Sequence, residues 1–196
     1  MNDSQNILRI GAVGAALSSL TLVAMAFIRL PARLYYPGVE VLTGAVALSA
    51  SETEAYLNGI RALFALDGVF LTGWLLAWAG IAELARKRSP LFGLLTLIFG
   101  LAGALFDFGE NSMIWGALEN LRFGVLPQPQ WIAAWKAVQH LSYWLPFIAA
   151  VFASAALWGG RRLEKTVAFV GSILVLPAAL GLYFPEISLL PNLWFL

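Results

Sequence analysis

The chain contains no cysteine, only one histidine, His140, and few charges: 12% of its 196 residues are charged. Without cysteine, disulfides, thiolate metal sites, iron–sulfur clusters and cysteine nucleophiles are excluded. A single histidine excludes bis-histidine haem and zinc sites built on several histidines. A site built from carboxylates alone stays open, but we predict no metal and no cofactor. The formal net charge of +1 gives no electrostatic basis for binding nucleic acid.

Apolar residues dominate what is present, at 60% of the chain, with a mean hydropathy of +0.79. A membrane-spanning helix needs about 20 largely apolar residues. Five stretches qualify: 8–28, 60–84, 90–118, 131–158 and 166–184. The remaining length leaves no room for a soluble domain, so the sequence predicts one all-α domain over 1–196. Its predicted architecture is a polytopic bundle of five transmembrane helices.

The first apolar stretch also resembles a cleavable signal peptide, because Arg9 precedes an apolar run that ends near Ala24-Met25-Ala26. The run is long for a signal peptide, which favours a helix that is retained.

Basic clusters predict the orientation. Arg86-Lys87-Arg88 joins spans two and three, while Arg161-Arg162 and Lys165 lie between spans four and five. Because short cytoplasmic loops are enriched in Lys and Arg, we predict a cytoplasmic N-terminus and an external C-terminus. The expected location is a bacterial-type inner or plasma membrane.

The long outer loop 30–57 has an apolar part that would lie on the membrane or dip back into the bundle. At its end, Ser51-Glu52-Thr53-Glu54 predicts a capping box that opens the second helix.

Acidic residues inside these spans are the most informative feature. Each carboxylate costs about 2.5–3.5 kcal/mol on insertion scales, so such residues usually face a partner or a cavity. Asp107, Glu110 and Asn111 share one face of the third span at i, i+3 and i+4. Asp67 and His140 lie about 25 Å from the cytoplasmic ends of their helices, at the height of Asp107. The sequence therefore predicts a polar layer in the outer third of the membrane.

Lys136 and His140 share a face of the fourth span, and an antiparallel pairing with span three would bring them to Glu110 and Asp107. We predict four catalytic residues: Asp67, Asp107, Glu110 and His140. Six further residues are predicted to bind substrate: Asn111, Lys136, Gln139, Tyr143, Trp115 and Trp144.

Each of these residues also has an ordinary structural explanation. The acids would be solvated near the outer interface or paired with Lys136, and Lys136 would extend its charged end to the interface. His140 and the aromatic residues would serve only in packing.

Two ionised carboxylates one turn apart are costly in a low dielectric, so one is expected to keep its proton. A protonated acid beside a base is the arrangement that general acid–base catalysis needs. We therefore predict an acid–base enzyme of the isomerase, cyclase or hydrolase type that acts on a lipid or isoprenoid. In this hypothesis Asp107 and Glu110 share the proton, Asn111 orients them and His140 relays it. Asp67 supplies an opposing charge, and Lys136 tunes the pair.

Two alternatives belong to other functional classes. A non-catalytic accessory subunit of a larger membrane complex would use the polar layer to bind a partner helix, a lipid or a pigment. A small proton-coupled transporter would use it to pass charge, although no paired halves are visible in the sequence. The predicted partner is a membrane lipid or lipophilic small molecule, and assembly into a homo-oligomer or larger complex stays open.

Overall fold

In the computed structural model, the described residues are 3–25, 27–28, 49–121 and 123–169, and they form an all-α bundle. Its four long helices are α1 (Asp3–Met25), α2 (Ala50–Arg86), α3 (Pro90–Leu121) and α4 (Pro129–Leu157). Residues 162–169 are helical as well. All four long helices are long and apolar enough to cross a membrane, as an integral membrane protein requires. Most of the predicted fifth span and of the outer loop lies outside the described residues, so the five-span count stays a prediction.

The helices that follow the outer loop exceed the thickness of a bilayer. α2 has 37 residues, α3 has 32 and α4 has 29. At 1.5 Å per residue these lengths correspond to about 55, 48 and 43 Å, against about 30 Å of hydrocarbon. Each of the three helices must therefore tilt or project from the membrane.

The start of α2 corrects the sequence prediction. The capping box is formed by Ser49 and Glu52, two residues before the predicted box of Ser51 and Glu54. The Ser49 hydroxyl accepts from the Glu52 backbone N–H, and the Glu52 carboxylate accepts from the Ser49 N–H. Two serines and two glutamates at the same spacing make either box chemically acceptable, so the spacing alone does not choose between them.

Consecutive helices pack antiparallel. Gly11 and Gly14 of α1 lie against Gly80 and Gly73 of α2, where the backbones leave no room for side chains. This close approach of small residues is the usual way in which helices associate within a membrane.

α3 packs between α2 and α4. Gly100 lies against the Trp78 ring of α2, and a Cβ there would be 2.6 Å from the Cγ atom of that ring. Gly103 lies against Pro146 of α4 with equally little room. These contacts fix which face of α3 meets each neighbour.

The two ends of the bundle differ in chemistry. We call the end at residues 87–89 the turn end and the end at residues 123–128 the loop end. At the loop end a buried apolar cluster joins three helices, formed by Tyr56, Leu57 and Ile60 of α2, Ile114, Ala117 and Leu118 of α3, and Trp135 of α4.

The turn end carries exposed basic residues and a connecting ion pair. Arg88 lies 2.8 Å from the Glu164 carboxylate, which also accepts from the Arg161 backbone N–H. Burial raises the pKa of Glu164, but the hydrogen bonds and charges of Arg88 and Arg161 outweigh it, and the net pKa lies below the usual range. The two connections at this end are thereby held together.

Candidate functional site

Glu110 is the most buried acid of the polar layer, with 5% of its surface exposed. Its carboxylate accepts from the Gln139 amide at 2.8 Å and from the Ser142 hydroxyl at 3.1 Å. Ser142 also donates to the Gln139 carbonyl at 2.8 Å, so its single proton is shared between two acceptors. Since both partners belong to α4, Glu110 links α3 to α4 across a buried interface.

Asp67 belongs to α2 and contacts a different side of α3 from the one that meets α4. Its carboxylate accepts a hydrogen bond from the Asn111 side-chain amide. Asn111 follows Glu110 directly in the sequence, and the 100° rotation between successive helical residues turns it towards α2 instead of α4. Neighbouring polar residues of α3 thus bind two different helices.

Asp107 is the third acid of the layer, one helical turn from Glu110 on α3. It is half-buried, and both Asp67 and Glu110 are close enough to act on it electrostatically. Within the part of the chain that the structure describes, no donor hydrogen-bonds to its carboxylate and no cation pairs with it. Among the three acids, Asp107 is therefore the one whose carboxylate accepts no hydrogen bond from a described residue.

Lys136 and His140 do not pair with Glu110 and Asp107 in the structure, although the sequence predicted that they would. Both side chains are exposed, and neither makes a hydrogen bond or ion pair with a described residue. The position facing Glu110 is taken by Gln139, which is seven residues from Pro146 and so shares its face of α4. Pro146 packs against Gly103 of α3, so this face of α4 is the one that meets α3.

The predicted aromatic residues divide between two surroundings. Tyr143 is 47% exposed, and it lies within electrostatic range of all three acids. Trp144 packs edge-on against Phe147, with ring centroids 5.2 Å apart, and contributes to packing. Trp115 lies at the boundary of α2 and α3, where Phe64 meets it edge-on at 6.0 Å.

A groove of about 440 Å³ opens between α2 and α3 beside the Asp67–Asn111 pair. Its lining is mainly apolar and aromatic, with an arginine at the loop end and an amide towards the acids. The lining residues are Arg61, Phe64, Gly68, Phe108, Asn111, Ser112 and Trp115. Asn111 belongs to both the groove and the polar layer, so it connects the two.

The packing along the bundle axis differs on the two sides of the acids. Towards the loop end, the buried apolar cluster closes the space between the three helices. Towards the turn end, the contacts Gly100–Trp78 and Gly103–Pro146 leave no room for a side chain. Among the described helices, the groove reaches the polar layer from the side at Asn111.

Sequence reasoning missed several members of this site. Ser142 bears no charge and lies in an apolar run, so only its buried contact identifies it. Arg61, Phe64 and Gly68 recur at helical spacing on one face of α2, and that spacing could have indicated the groove.

The acids converge without forming a metal-binding set. Among residues 3–25, 27–28, 49–121 and 123–169, no group of three His, Cys, Asp or Glu side chains is arranged to hold a metal ion.

No protein-family model, curated protein or solved structure matches the chain.

Proposed function

We propose that this protein is a membrane-embedded acid–base enzyme that moves a proton on a lipid-soluble substrate. The observation that carries the proposal is the position of Asp107, half-buried and within electrostatic range of two acids that other side chains hold in place. Three carboxylates this close in a low dielectric cannot all be ionised cheaply, so the group keeps at least one proton. A site that stores a proton beside a fixed base meets the basic requirement for acid–base chemistry.

Each acid has a distinct part in this proposal. The donors Gln139 and Ser142 fix the position of the Glu110 carboxylate, which is the base of the proposed reaction. Asp107 has no described donor and carries the exchangeable proton. Asn111 donates a hydrogen bond to Asp67 and orients this carboxylate.

The simplest reaction of this kind is a double-bond shift. Asp107 donates its proton to one carbon of an alkene, and the positive charge forms on the adjacent carbon. A carboxylate then removes a proton from the next carbon, and the electron pair of that C–H bond forms the new double bond. No atom is gained or lost overall, and the aromatic rings of the groove would stabilise the positive charge by cation–π attraction.

The basic residues of the turn end favour its assignment to the cytoplasmic side. Six exposed side chains lie there: Arg86, Lys87, Arg88, Arg161, Arg162 and Lys165. This orientation is that of a bacterial-type inner membrane protein and puts the polar layer towards the outer surface.

The experiment is deuterium incorporation, which does not require knowledge of the substrate. Purified protein in nanodiscs is incubated in D₂O with a total membrane lipid extract, and the lipids are analysed by mass spectrometry for carbon-bound deuterium. We expect the wild type to label one lipid class, and Asp107→Asn to lower the rate by about 10²-fold or more, the usual contribution of a general acid. Glu54→Gln, at the exposed start of α2, serves as the matched control and should retain the wild-type rate.

Two results would contradict the proposal. One is wild-type activity in Asp107→Asn, and the other is a wild-type protein that labels no lipid above the protein-free background. Unfolding curves of both variants establish whether a lost activity reflects lost structure.

A further inference from the structure

The groove between α2 and α3 carries different polar groups at its two ends. At its loop end the Arg61 guanidinium lies 5.4 Å from the centre of the Trp115 ring. At the level of the acids the groove meets Asn111, whose amide donates to Asp67. A ligand in the groove therefore meets a guanidinium at one end and an amide at the other.

Arg61 keeps capacity for an anion. Its two terminal nitrogens donate to Asn58 at 3.1 Å and to Glu119 at 3.4 Å, and its side chain remains 41% exposed. Guanidinium has five N–H donors, and such an exposed ion pair contributes little stability. An anionic group can therefore share or replace the contact with Glu119.

The middle of the groove suits an apolar chain. Phe64, Phe108 and Trp115 line it, and the space next to Gly68 is open, with no heavy atom within 4 Å of a Cβ placed there. The volume of about 440 Å³ is within the range of small-molecule sites. A single chain fits this volume better than a pair of chains, because it corresponds to one small molecule.

We propose that the groove binds a single-chain amphiphile whose anionic headgroup is held by Arg61 and whose chain lies over Gly68 towards Asn111. This inference rests on the proposed function and assigns its substrate class. Arg61 fixes the direction of binding, since it is the charged residue of the groove lining and attracts an anion.

The helix rise gives the position of the reacting bond. Asp67 is six residues from Arg61 along α2, which corresponds to about 9 Å. A headgroup at Arg61 therefore brings a part of the chain about 9 Å away to the level of Asn111 and the acids. Substrates with the double bond at that distance are the ones expected to react.

Binding is tested without turnover, by native mass spectrometry of the full chain released from dodecyl maltoside micelles. The probe is hexadecyl phosphate; hexadecanol is its neutral counterpart, and phosphatidylglycerol is a two-chain anionic lipid. We expect one hexadecyl phosphate per chain, retained at least about tenfold better than hexadecanol, as a charge-assisted hydrogen bond predicts.

Two variants test the location of the bound probe. Gly68→Leu fills the open space and should abolish retention, and Arg61→Gln should weaken it by about tenfold or more. Gly116→Leu is the matched control, because the space next to Gly116 is equally open but lies outside the groove. Arg162→Gln controls for loss of an exposed positive charge.

Three outcomes would overturn the inference. The first is that the protein retains hexadecanol as well as hexadecyl phosphate. The second is that Gly68→Leu and Arg61→Gln retain hexadecyl phosphate as the wild type does. The third is that the protein retains phosphatidylglycerol in place of hexadecyl phosphate. Asp107→Asn separates this proposal from the catalytic one, because it should bind the probe as the wild type does. Normal binding without deuterium incorporation by the wild type would support the groove and refute the acid–base role, and the reverse pattern would refute the groove.

Discussion

Replacement of Glu110 separates a structural role of the polar layer from a chemical one. Glu110 is 5% exposed and accepts two hydrogen bonds from α4. Interhelical hydrogen bonds in membranes contribute about 0.6 kcal/mol on average and up to about 1.7. Glu110→Leu removes both acceptors at similar volume, so we expect it to lower the free energy of unfolding by about 1–3 kcal/mol. Glu110→Gln keeps one side-chain oxygen, and about half of that loss is expected.

The assay is unfolding in mixed micelles of dodecyl maltoside and sodium dodecyl sulfate, followed by tryptophan fluorescence. Ser19→Ala is the control, because the Ser19 hydroxyl is exposed and donates to the Ala15 carbonyl of its own helix. We expect this variant to change the free energy of unfolding by no more than about 0.5 kcal/mol. If Glu110→Leu unfolds at the same detergent composition as Ser19→Ala, the reasoning is refuted, since Gln139 and Ser142 would then have other partners of equal strength.

Two further perturbations test the rest of the bundle. Gly73→Leu should destabilise the protein by about 1–3 kcal/mol or more, because a Cβ at this position would be 2.7 Å from the Gly14 carbonyl oxygen of α1. Gly116→Leu is the control and should not destabilise the protein, because the space around Gly116 is open. Equal thermal unfolding of the two variants would contradict this account of the α1–α2 contact. At the turn end, Arg88 helps to hold the pKa of Glu164 below its usual value, so the pair stabilises the fold above pH about 4.5 and loses that contribution as the pH falls further. Glu164→Gln should therefore lower the thermal midpoint at pH 7 and approach the wild type at acidic pH, and a difference that stays constant from pH 7 to pH 3 would refute the linkage.

The sequence predicted the level of the polar layer but not the partners of its acids. Depth follows from counting residues, because every helix rises by the same amount per residue, and Asp67, Asp107 and Glu110 do lie close together. The spacing i, i+3, i+4 placed Glu110 and Asn111 on one face. That face is broad enough for its two edges to meet α4 and α2 separately.

The rotation of α4 could not be read from charge. Lys136 and His140 are the strongest polar signals of that helix, yet the neutral Gln139 faces Glu110. The contact between Gly103 and Pro146 sets the rotation, and such a contact depends on the shapes of two helices at once. Hydropathy describes one helix at a time and cannot supply it.

Access to the acids follows from where the packed regions lie along the helices. Asp67 is about 28 Å from the turn end of α2, so a hydrocarbon layer about 30 Å thick that begins at the turn end would place Asp67 near its far edge. Beyond it, Ile60 and Trp135 belong to the apolar cluster that separates the acids from the loop end. The apolar cluster therefore packs the loop-end side of the acids, whereas the groove reaches the polar layer from the side at Asn111. In the proposed function the substrate enters from the side of the bundle, which requires it to be soluble in the bilayer.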